Sequence, residues 1–399
     1  MTLQRPENRH QVALLRRLRD EGPRSRAELN DGVDLSRSKL AAEVDRLIEL
    51  GLIEATGLAA SRGGRRSTAL ALSSRTRLLC VDIGATSVDV ALADAELNVL
   101  AHVREDVEVR LGPDVVIDRA LDLARKLVAD QPGTVLAGVG VGVPGPVNFD
   151  RGEPVSPPIM PGWNGYPVRE RFATALGCPA IVDNDVNIMA LGEKHAGIAR
   201  RANDFLFVKI GTGIGCGVVI RGEVYRGVNG SAGDIGHIQV DDEGPVCTCG
   251  NFGCLEAHFG GAALRRDALA AARSGRSAFL ADRLAQGVTL SAIDVGAAAE
   301  AGDPHATAMV REGGRVLGEV LAGLVSFFNP GLVVLGGGVS QLGHELLAQV
   351  RSVVYQRSLP LATGNLPIVL SELDDEAGVI GAARMISDQL YSTLPGSRS

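Results

Sequence analysis

Four potential metal ligands lie within eighteen consecutive residues, and this cluster restricts the fold more than any other feature of the sequence. One imidazole and three thiols complete the tetrahedral coordination of Zn²⁺ and leave no position for water, as is typical of a structural site. Three incidental cysteines and a surface histidine are the alternative, but half of the six cysteines fall within eight residues. The pattern predicts a structural zinc in the segment 237–256, flanked by two carboxylates, Asp234 and Glu256, that could bind a polyol. The predicted ligands are His237, Cys247, Cys249 and Cys254.

Length and charge divide the chain into a basic head and an acidic body. With 399 residues it is long enough for more than one domain. Residues 1–77 carry a net charge of +5 and the remainder −12, which favours an anionic partner for the head and a small neutral ligand for the body. The sequence has neither a signal-like stretch nor an apolar run of transmembrane length. The scattered cysteines outside the cluster indicate a reducing compartment, so we expect a cytoplasmic protein with no membrane partner.

The head has the pattern of a winged helix-turn-helix domain. Apolar residues along 8–19 predict a first helix, Ser25 and Glu28 form a capping box for a second, and Gly32 marks its end. A third helix begins near Leu35, and its apolar face is predicted to consist of Leu40, Val44, Leu47 and Ile48. A turn at Gly51 and strands over 52–54 and 69–72 then predict a hairpin whose tip, 61–66, is rich in glycine and arginine.

Two clusters in the head carry the side chains predicted to contact DNA. The first turn of the third helix is where a recognition helix meets bases and phosphates, and a basic hairpin tip suits a wing on the minor groove or backbone. A generic three-helix cap with a solvated basic surface is the alternative. The first 77 residues contain no aromatic side chain, which disfavours stacking on single-stranded RNA. The predicted contacts are Ser36, Arg37, Ser38, Lys39, Arg62, Arg65 and Arg66.

The body alternates apolar strands with helices, which predicts an α/β domain. Three of its strands end in glycine turns, an arrangement that resembles a nucleotide cleft between two lobes, although each turn alone is weak support. A P-loop is excluded because the sequence has no Gly-x4-Gly-Lys-Ser/Thr run. The residues of these turns that could hold nucleotide phosphate are Asp82, Gly84, Thr86, Gly211, Thr212, Gly213, Gly215, Gly336 and Gly337.

Asn184 and Asp185 stand between a predicted strand, 180–182, and a predicted helix that runs to about Gly197. Their side chains could bind adjacent hydroxyl groups, and Asp185 could accept a proton from a sugar hydroxyl during phosphoryl transfer. Asp185 could equally cap the following helix, a position where Asp and Asn are common. The spacing favours neither interpretation over the other.

The glycine turns, the Asn184-Asp185 pair and the potential metal ligands follow one another along the chain in the order typical of the ROK family (repressor, open reading frame, kinase). The sequence resembles this family from about residue 8 to the C-terminus. The resemblance implies a winged helix-turn-helix domain followed by an actin-like, ribonuclease-H-type body of two lobes, the α/β fold of sugar kinases. It places Asp185 at the catalytic base. It also implies that His237 binds zinc through one ring nitrogen and the sugar through the other. The implied sugar contacts are Asn184, Asp185, Asp234, His237 and Glu256.

Departures from the kinase pattern bear on activity. The kinases usually read Asp-Ile-Gly-Gly-Thr-Lys where this chain has Ala85 and Ser87, and Glu where it has Asp234. A methyl group at residue 85 crowds a phosphate-binding turn. The carboxylate of Asp234 is one methylene, about 1.3 Å, further from its sugar hydroxyl. Both changes disfavour phosphoryl transfer more than sugar binding.

We therefore expect a sugar-responsive regulator of transcription, most simply a repressor of carbohydrate uptake or metabolism genes. The alternatives are an ATP-dependent sugar kinase with a regulatory head and a protein with both functions, and only these require ATP and Mg²⁺. The expected partners are an operator in double-stranded DNA, a sugar or sugar-phosphate effector, and a second copy in a homodimer or dimer of dimers. The expected domains are the head (1–72), a linker (73–77) and the body (78–399).

Overall fold

In its described residues the N-terminal head consists of three helices and a small sheet. The computed structural model describes residues 4–31, 33–58 and 68–392. In the described part of the head the strands pair in the order β1-β3-β2, so a short additional strand extends the predicted hairpin into a sheet. The elements are α1 (Arg9–Glu21), β1 (Arg24–Ser25), α2 (Arg26–Asn30), α3 (Arg37–Glu49), β2 (Ile53–Leu58) and β3 (Thr68–Leu72).

Each helix of the head begins at a side chain that accepts hydrogen bonds from free backbone amides. Asn8 caps α1 by accepting from two amides. Ser25 and Glu28 form the predicted capping box of α2, and Ser36 caps α3 by accepting from the amide of Lys39. A helix leaves its first amides without internal partners, so each such cap stabilises it by about 1 kcal/mol. The predicted helices and their starting points are confirmed.

Part of the prediction for the head is wrong, and part lies outside the described residues. Leu40, Val44 and Leu47 are buried as expected, but Ile48 is 39% exposed. One residue is about 100° of rotation on a helix, so Ile48 turns away from the core that Leu47 enters. The remaining predicted residues of the head are not among those described, and the arginine-rich tip stays a prediction. They are Gly32, Arg62, Arg65 and Arg66.

The first lobe of the body is built on a mixed sheet whose strands pair in the order β10-β7-β4-β5-β6. The strands β4, β5 and β6 are antiparallel neighbours, whereas β7 and β10 run parallel to β4. The elements are β4 (Thr76–Ile83), β5 (Ser87–Ala93), β6 (Val99–Asp106), α4 (Pro113–Ala129), β7 (Val135–Val143), β8 (Val147–Asn148), β9 (Glu153–Pro154), α5 (Val168–Leu176) and β10 (Ala180–Asn184).

The helix α6 (Asp185–His195) leads into the second lobe, whose strands pair in the order β13-β12-β11-β14-β15. No described helix is both long enough and apolar enough to cross a bilayer. The further elements are β11 (Phe205–Ile210), β12 (Ile214–Ile220), β13 (Glu223–Val224), α7 (Leu255–Phe259), α8 (Gly261–Arg273), α9 (Ala278–Ala285), α10 (Ala292–Glu300), α11 (Pro304–Phe328), β14 (Val333–Gly336), α12 (Gly343–Arg357), α13 (Pro360–Thr363), β15 (Ile368–Leu370) and α14 (Glu376–Leu390).

The two sheets repeat one topology. In each lobe three consecutive strands form an antiparallel meander. A later strand pairs in parallel with the first strand of the meander, and a still later strand pairs in parallel with that one. The first hairpin of each lobe has a glycine turn at its tip: residues 84–86 join β4 to β5, and residues 211–213 join β11 to β12. This duplicated arrangement is the two-lobed, actin-like body that the resemblance implies.

The helices α6 and α14 pack side by side where the two lobes meet. Their backbones approach so closely that a Cβ atom on Gly381 would lie 1.6 Å from the carbonyl oxygen of Ile188. A Cβ atom on Gly192 would lie 2.0 Å from the carbonyl oxygen of Ala377. Glycine is needed at both contacts because any larger residue would force the helices apart. The pair therefore joins the end of β10, where α6 begins, to the C-terminal part of the chain.

The head and the body share one hydrophobic core. Leu14 and Leu18 of α1 belong to the same buried cluster as Leu78 of β4 and Ile386 and Leu390 of α14. The predicted linker, 73–77, is a short turn, since its last two residues already form the start of β4. The head is thus packed against the body and not tethered to it by an extended segment.

A buried arginine stands at this contact between head and body. Arg19 of α1 is 4% exposed, and its guanidinium donates to Ser387 Oγ at 3.0 Å and to Asp388 Oδ1 at 2.8 Å. The same group lies 6.0 Å from the ring centre of Tyr391. A buried charge is stable only when it is paired and hydrogen-bonded, so these contacts fix α1 against α14.

Candidate functional site

The four predicted metal ligands come together in one cluster, the His/Cys cluster of His237, Cys247, Cys249 and Cys254. Their donor atoms all lie within 4.8 Å of one another. Cys249 Sγ is 3.7 Å from Cys254 Sγ, and Cys247 Sγ is 3.5 Å from His237 Nδ1. Zinc–sulfur bonds of about 2.3 Å at tetrahedral angles separate two sulfur atoms by about 3.8 Å. The donor types and spacing of the cluster therefore fit Zn²⁺ with four protein ligands.

Tight turns bring these ligands into position. Residues 246 and 252 form a bridge between the two arms of the loop, and Gly253 has a φ of +63°. A Cβ atom on Gly253 would lie 1.6 Å from the carbonyl oxygen of Asp241, so this position requires glycine. Cys254 then stands directly before α7, whose second residue is Glu256. The loop that holds the metal donors thus also sets the position of this carboxylate.

Two carboxylates flank the His/Cys cluster on the sides that the sequence predicts. His237 Nε2 is 3.9 Å from Asp234 Oδ1, while His237 Nδ1 faces Cys247 and lies 3.7 Å from Glu256 Oε1. One ring nitrogen is therefore directed to the metal donors and the other to Asp234. The second oxygen of Glu256 packs against the glycine turn 211–213, since a Cβ atom on Gly213 would lie 2.5 Å from it.

The geometry at the start of α6 shows which of two residues, Asn184 or Asp185, caps the helix. Asn184 is the N-cap, and its Oδ1 accepts from the amide of Val186 at 2.9 Å. Asp185 is the first helical residue and is buried, with its Oδ2 2.5 Å from Lys209 Nζ. The N-cap is therefore Asn184, while Asp185 accepts from the same amide through Oδ1 at 2.8 Å and forms an ion pair with Lys209 of the second lobe through Oδ2.

Lys209 was not predicted as a site residue. It is the fifth residue of β11, in the run Phe-Leu-Phe-Val-Lys-Ile, and the residues around it read as an ordinary buried strand. A cation within such a run, two residues before a glycine turn, was the available signal. Burial lowers the pKa of Lys209, but the charges of Asp185 and Asp82 outweigh burial and raise it. Lys209 is therefore charged at neutral pH in this site.

Asp82 lies at the end of β4, beside the first glycine turn. Its Oδ1 is buried and has no hydrogen-bond partner among the described residues. Burial raises the pKa of Asp82 to about 7, against the opposing charge of Lys209. We refer to Asp82, Asp185 and Lys209 as the interlobe site, because they come from β4, α6 and β11.

The predicted phosphate turns lie around the interlobe site. Gly84 and Thr86 follow Asp82 directly, and the carbonyl oxygens at 85 and 86 accept from backbone amides at 109 and 107. Gly336 pairs with Lys209 in the sheet. Gly337, with a φ of +85°, packs against Ile210. Gly211, Thr212, Gly213 and Gly215 form the turn and the start of β12 beside Glu256.

The head presents its predicted recognition residues to solvent. Ser36, Arg37, Ser38 and Lys39 are all exposed at the first turn of α3. Lys39 Nζ lies 3.5 Å from His10 Nε2, so α1 and α3 present polar side chains to the same surface.

The chain belongs to the ROK family, whose model matches residues 78–389. Similarity to one group of proteins extends further, through the head as well. The xylose repressor of Caldicellulosiruptor bescii is 29% identical over 386 residues, 96% of each chain. A solved ROK family transcriptional regulator, described as a homologue of the E. coli MLC protein, has a TM-score of 0.81 at 29% identity. The match covers 96% of both chains. The predicted family and fold are confirmed.

Kinases of the family match a shorter part of the chain. The glucokinase of Thermotoga maritima is 32% identical over 319 residues, which is 99% of that protein but 79% of this chain. The remainder corresponds in length to the head. The chain therefore has the organisation of the regulators of the ROK family, with a body related to the family's sugar kinases.

Proposed function

We propose that the protein is a sugar-responsive repressor that binds an operator through its head and a sugar or sugar phosphate through its body. This proposal rests on the presence of the head. The relatives named as a repressor and a regulator match 96% of the chain, whereas the glucokinase matches 79% of it. A kinase has no requirement for an exposed recognition turn on a buried helix scaffold. We assign residues 1–72 to DNA binding and 78–399 to the effector and assembly.

The proposed sugar site lies where the His/Cys cluster and the interlobe site meet at one glycine turn. Glu256 packs on Gly213 from the side of the cluster, and Gly211 faces the side chain of Lys209 from the other. Carboxylates of both groups would accept hydrogen bonds from sugar hydroxyls. The contacts that we propose are Asn184, Asp185, Asp234, His237 and Glu256.

A structural Zn²⁺ is part of this proposal. The ion would be held by His237, Cys247, Cys249 and Cys254 and would fix the loop that carries Asp234 and Glu256. With all four positions filled by protein, the ion would have no vacant position for a substrate. Its function would be to hold two sugar contacts in place.

Sugar phosphorylation is the second candidate function, because Asp185 and the turn 211–215 are present. Two observations weigh against it. Asp185 is already paired with Lys209 at 2.5 Å, and the side chain of Asp234 is 44% exposed and 3.9 Å from His237. A coupled ATP assay with hexoses, pentoses and amino sugars separates the candidates. We expect no turnover at an enzyme-like rate, and such a rate, abolished by Asp185→Asn, would establish the kinase.

The direct test is a gel-shift titration with the DNA upstream of the protein's own gene. We expect a specific complex on a palindromic site, because one recognition helix per chain reads a half-site and a dimer reads both. Replacing Arg37 and Lys39 with alanine is expected to weaken binding about tenfold or more and to flatten its salt dependence. A sugar from the panel is expected to change the affinity.

The control is Lys126→Ala, which removes another exposed lysine, from α4 of the body. We expect its operator affinity to equal that of the wild type. The proposal fails if no specific complex forms, or if the double variant in α3 binds as tightly as this control.

A further inference from the structure

Lys209 gives the interlobe site a charge pattern that bears on the chemistry of the effector. Its Nζ lies 2.5 Å from Asp185 Oδ2, and both side chains are largely buried, at 20% and 11% exposure. A contact this short between buried groups is a charge-assisted hydrogen bond, among the strongest that side chains form. The lysine is therefore committed to the carboxylate that would contact a sugar hydroxyl.

The other cations near this site are committed in the same way. Arg104 lies 3.8 Å from Asp89 and 2.6 Å from Asp375, and His102 lies 3.0 Å from Asp89. Asp82 adds a further carboxyl group to the same neighbourhood, since its charge acts on Lys209. Among the described residues of this region, each cation thus already has a carboxylate partner within 4 Å.

Backbone amides at the two helix starts beside the site are occupied as well. At the start of α8 the amides of Gly261 and Ala262 donate to carbonyl oxygens of the turn 211–213, at 2.7 and 3.1 Å. At the start of α6 the amide of Val186 donates to Asn184. Helix starts bind phosphate because their amides are free and their dipoles positive. Here protein oxygens take these amides.

A phosphate monoester carries a charge of about −1.5 to −2 at neutral pH. In this site it would face the carboxylate of Asp185 and the flanking carboxylates of Asp234 and Glu256, without an uncommitted cation. Like charges at short range in a partly buried site repel strongly. Hydroxyl groups, in contrast, donate hydrogen bonds to carboxylates without adding charge.

We propose that the body is a receptor for an unphosphorylated sugar, and that Lys209 is the fixed counter-ion that keeps Asp185 in place to accept from a sugar hydroxyl. This inference rests on the proposed function, which leaves the effector as a sugar or a sugar phosphate, and it selects the uncharged sugar. Lys209 is a positioning residue, since it acts on the sugar through Asp185.

Isothermal titration calorimetry on the full chain tests the proposal with glucose, N-acetylglucosamine and xylose, each paired with its terminal phosphate ester. The wild type is expected to bind one neutral sugar at least about tenfold more tightly than its ester. Asp185→Asn releases the ammonium of Lys209 and is expected to move this affinity ratio towards the ester about tenfold or more. Adding Lys209→Met to Asp185→Asn should reverse that shift.

The ratio of the two affinities distinguishes the proposed function of Lys209 from a merely structural one, because a general loss of stability weakens the binding of sugar and ester alike. Lys126→Met on α4, the matched control, is expected to leave both affinities and their ratio unchanged. Thermal unfolding of each variant verifies that it folds. If Asp185→Asn does not fold, the ratio of sugar affinity to ester affinity in the wild type tests the proposal alone.

A wild type that binds an ester as tightly as its sugar, or more tightly, overturns the proposal, as does an unchanged ratio in folded Asp185→Asn. A chain that binds operator DNA and responds to an ester alone refutes the proposal and leaves the repressor function standing. Failure of the proposed repressor function would be seen in a separate measurement, as the absence of a specific DNA complex. A chain that binds neither member of any pair refutes the sugar site altogether.

Discussion

Asp82 has one carboxyl oxygen that water does not reach, and this has a measurable cost. One of its oxygens has no hydrogen-bond partner among the described residues, and burial raises its pKa to about 7. The folded chain therefore retains a proton on Asp82 at pH values where the unfolded chain has lost it. Stability from this group is complete below the unfolded pKa and is lost as the pH rises through about 7.

We predict that Asp82→Asn removes this pH dependence. Between pH 5 and pH 8 the free energy of unfolding of the wild type should fall by about 1–3 kcal/mol relative to that of the variant. Urea denaturation at both pH values measures the difference. Asp122→Asn, which changes an exposed aspartate on α4, should behave like the wild type. Parallel stability curves for wild type and Asp82→Asn would contradict the prediction.

Single residues also show what the sequence could not supply. The sequence left Asp185 as either a helix cap or a proton acceptor, because Asn and Asp are suited to both. The cap is Asn184, a distinction that depends on backbone angles at one position. Lys209 is absent from the predicted site because its partner is 24 residues away, in the other lobe. Pairing across a cleft follows from packing and not from local pattern.

At the scale of elements, the loop of the His/Cys cluster was predicted well because its ligands are close in sequence. Donors separated by two to ten residues can meet whatever the rest of the fold does. Caps of α2 and α3 were predictable for the same reason, as each involves residues three apart. The close contact between α6 and α14 was not, although the glycines that permit it are visible in the sequence.

We predict that Cys249→Ser releases the metal and loosens this loop. Purified wild type should contain about one zinc ion per chain and the variant less than about a tenth of that, since serine is a poor ligand for Zn²⁺. Elemental analysis measures the metal, and calorimetry should show weaker sugar binding because Asp234 and Glu256 lose their support. Cys178→Ser, at a buried thiol outside the cluster, should keep its zinc. Wild type free of zinc would exclude the site.

For the whole molecule, the decisive contact is the one between head and body. A series of contacts connects the interlobe site to the head. The helix α6 begins at the interlobe site and packs on α14, and α14 in turn binds Arg19 of the head. A ligand alters DNA affinity only if it binds two arrangements of the molecule differently. The contact between α1 and α14 joins residues 368 positions apart, so no local pattern predicts it.

We predict that Arg19→Met uncouples the two sites. Operator affinity in the absence of sugar and sugar affinity should remain within about threefold of the wild type, while the change in operator affinity caused by sugar should shrink about fivefold or more. Gel shifts with and without the sugar measure this. Arg17→Met is the matched control, because Arg17 pairs within the head with Glu21 and the carbonyl oxygen of Leu29. An undiminished response in Arg19→Met would disprove coupling through this contact.

The shared core also determines where the molecule can be divided. A chimeric regulator made by exchanging heads is usually cut at the sequence boundary, here near residue 73. Such a cut would leave Arg19 without Ser387, Asp388 and Tyr391, and would expose the leucines of α1 that pack on α14. Because α14 also packs on α6 of the body, it cannot be moved with the head, so an exchanged head must instead match the residues of α14 that face α1.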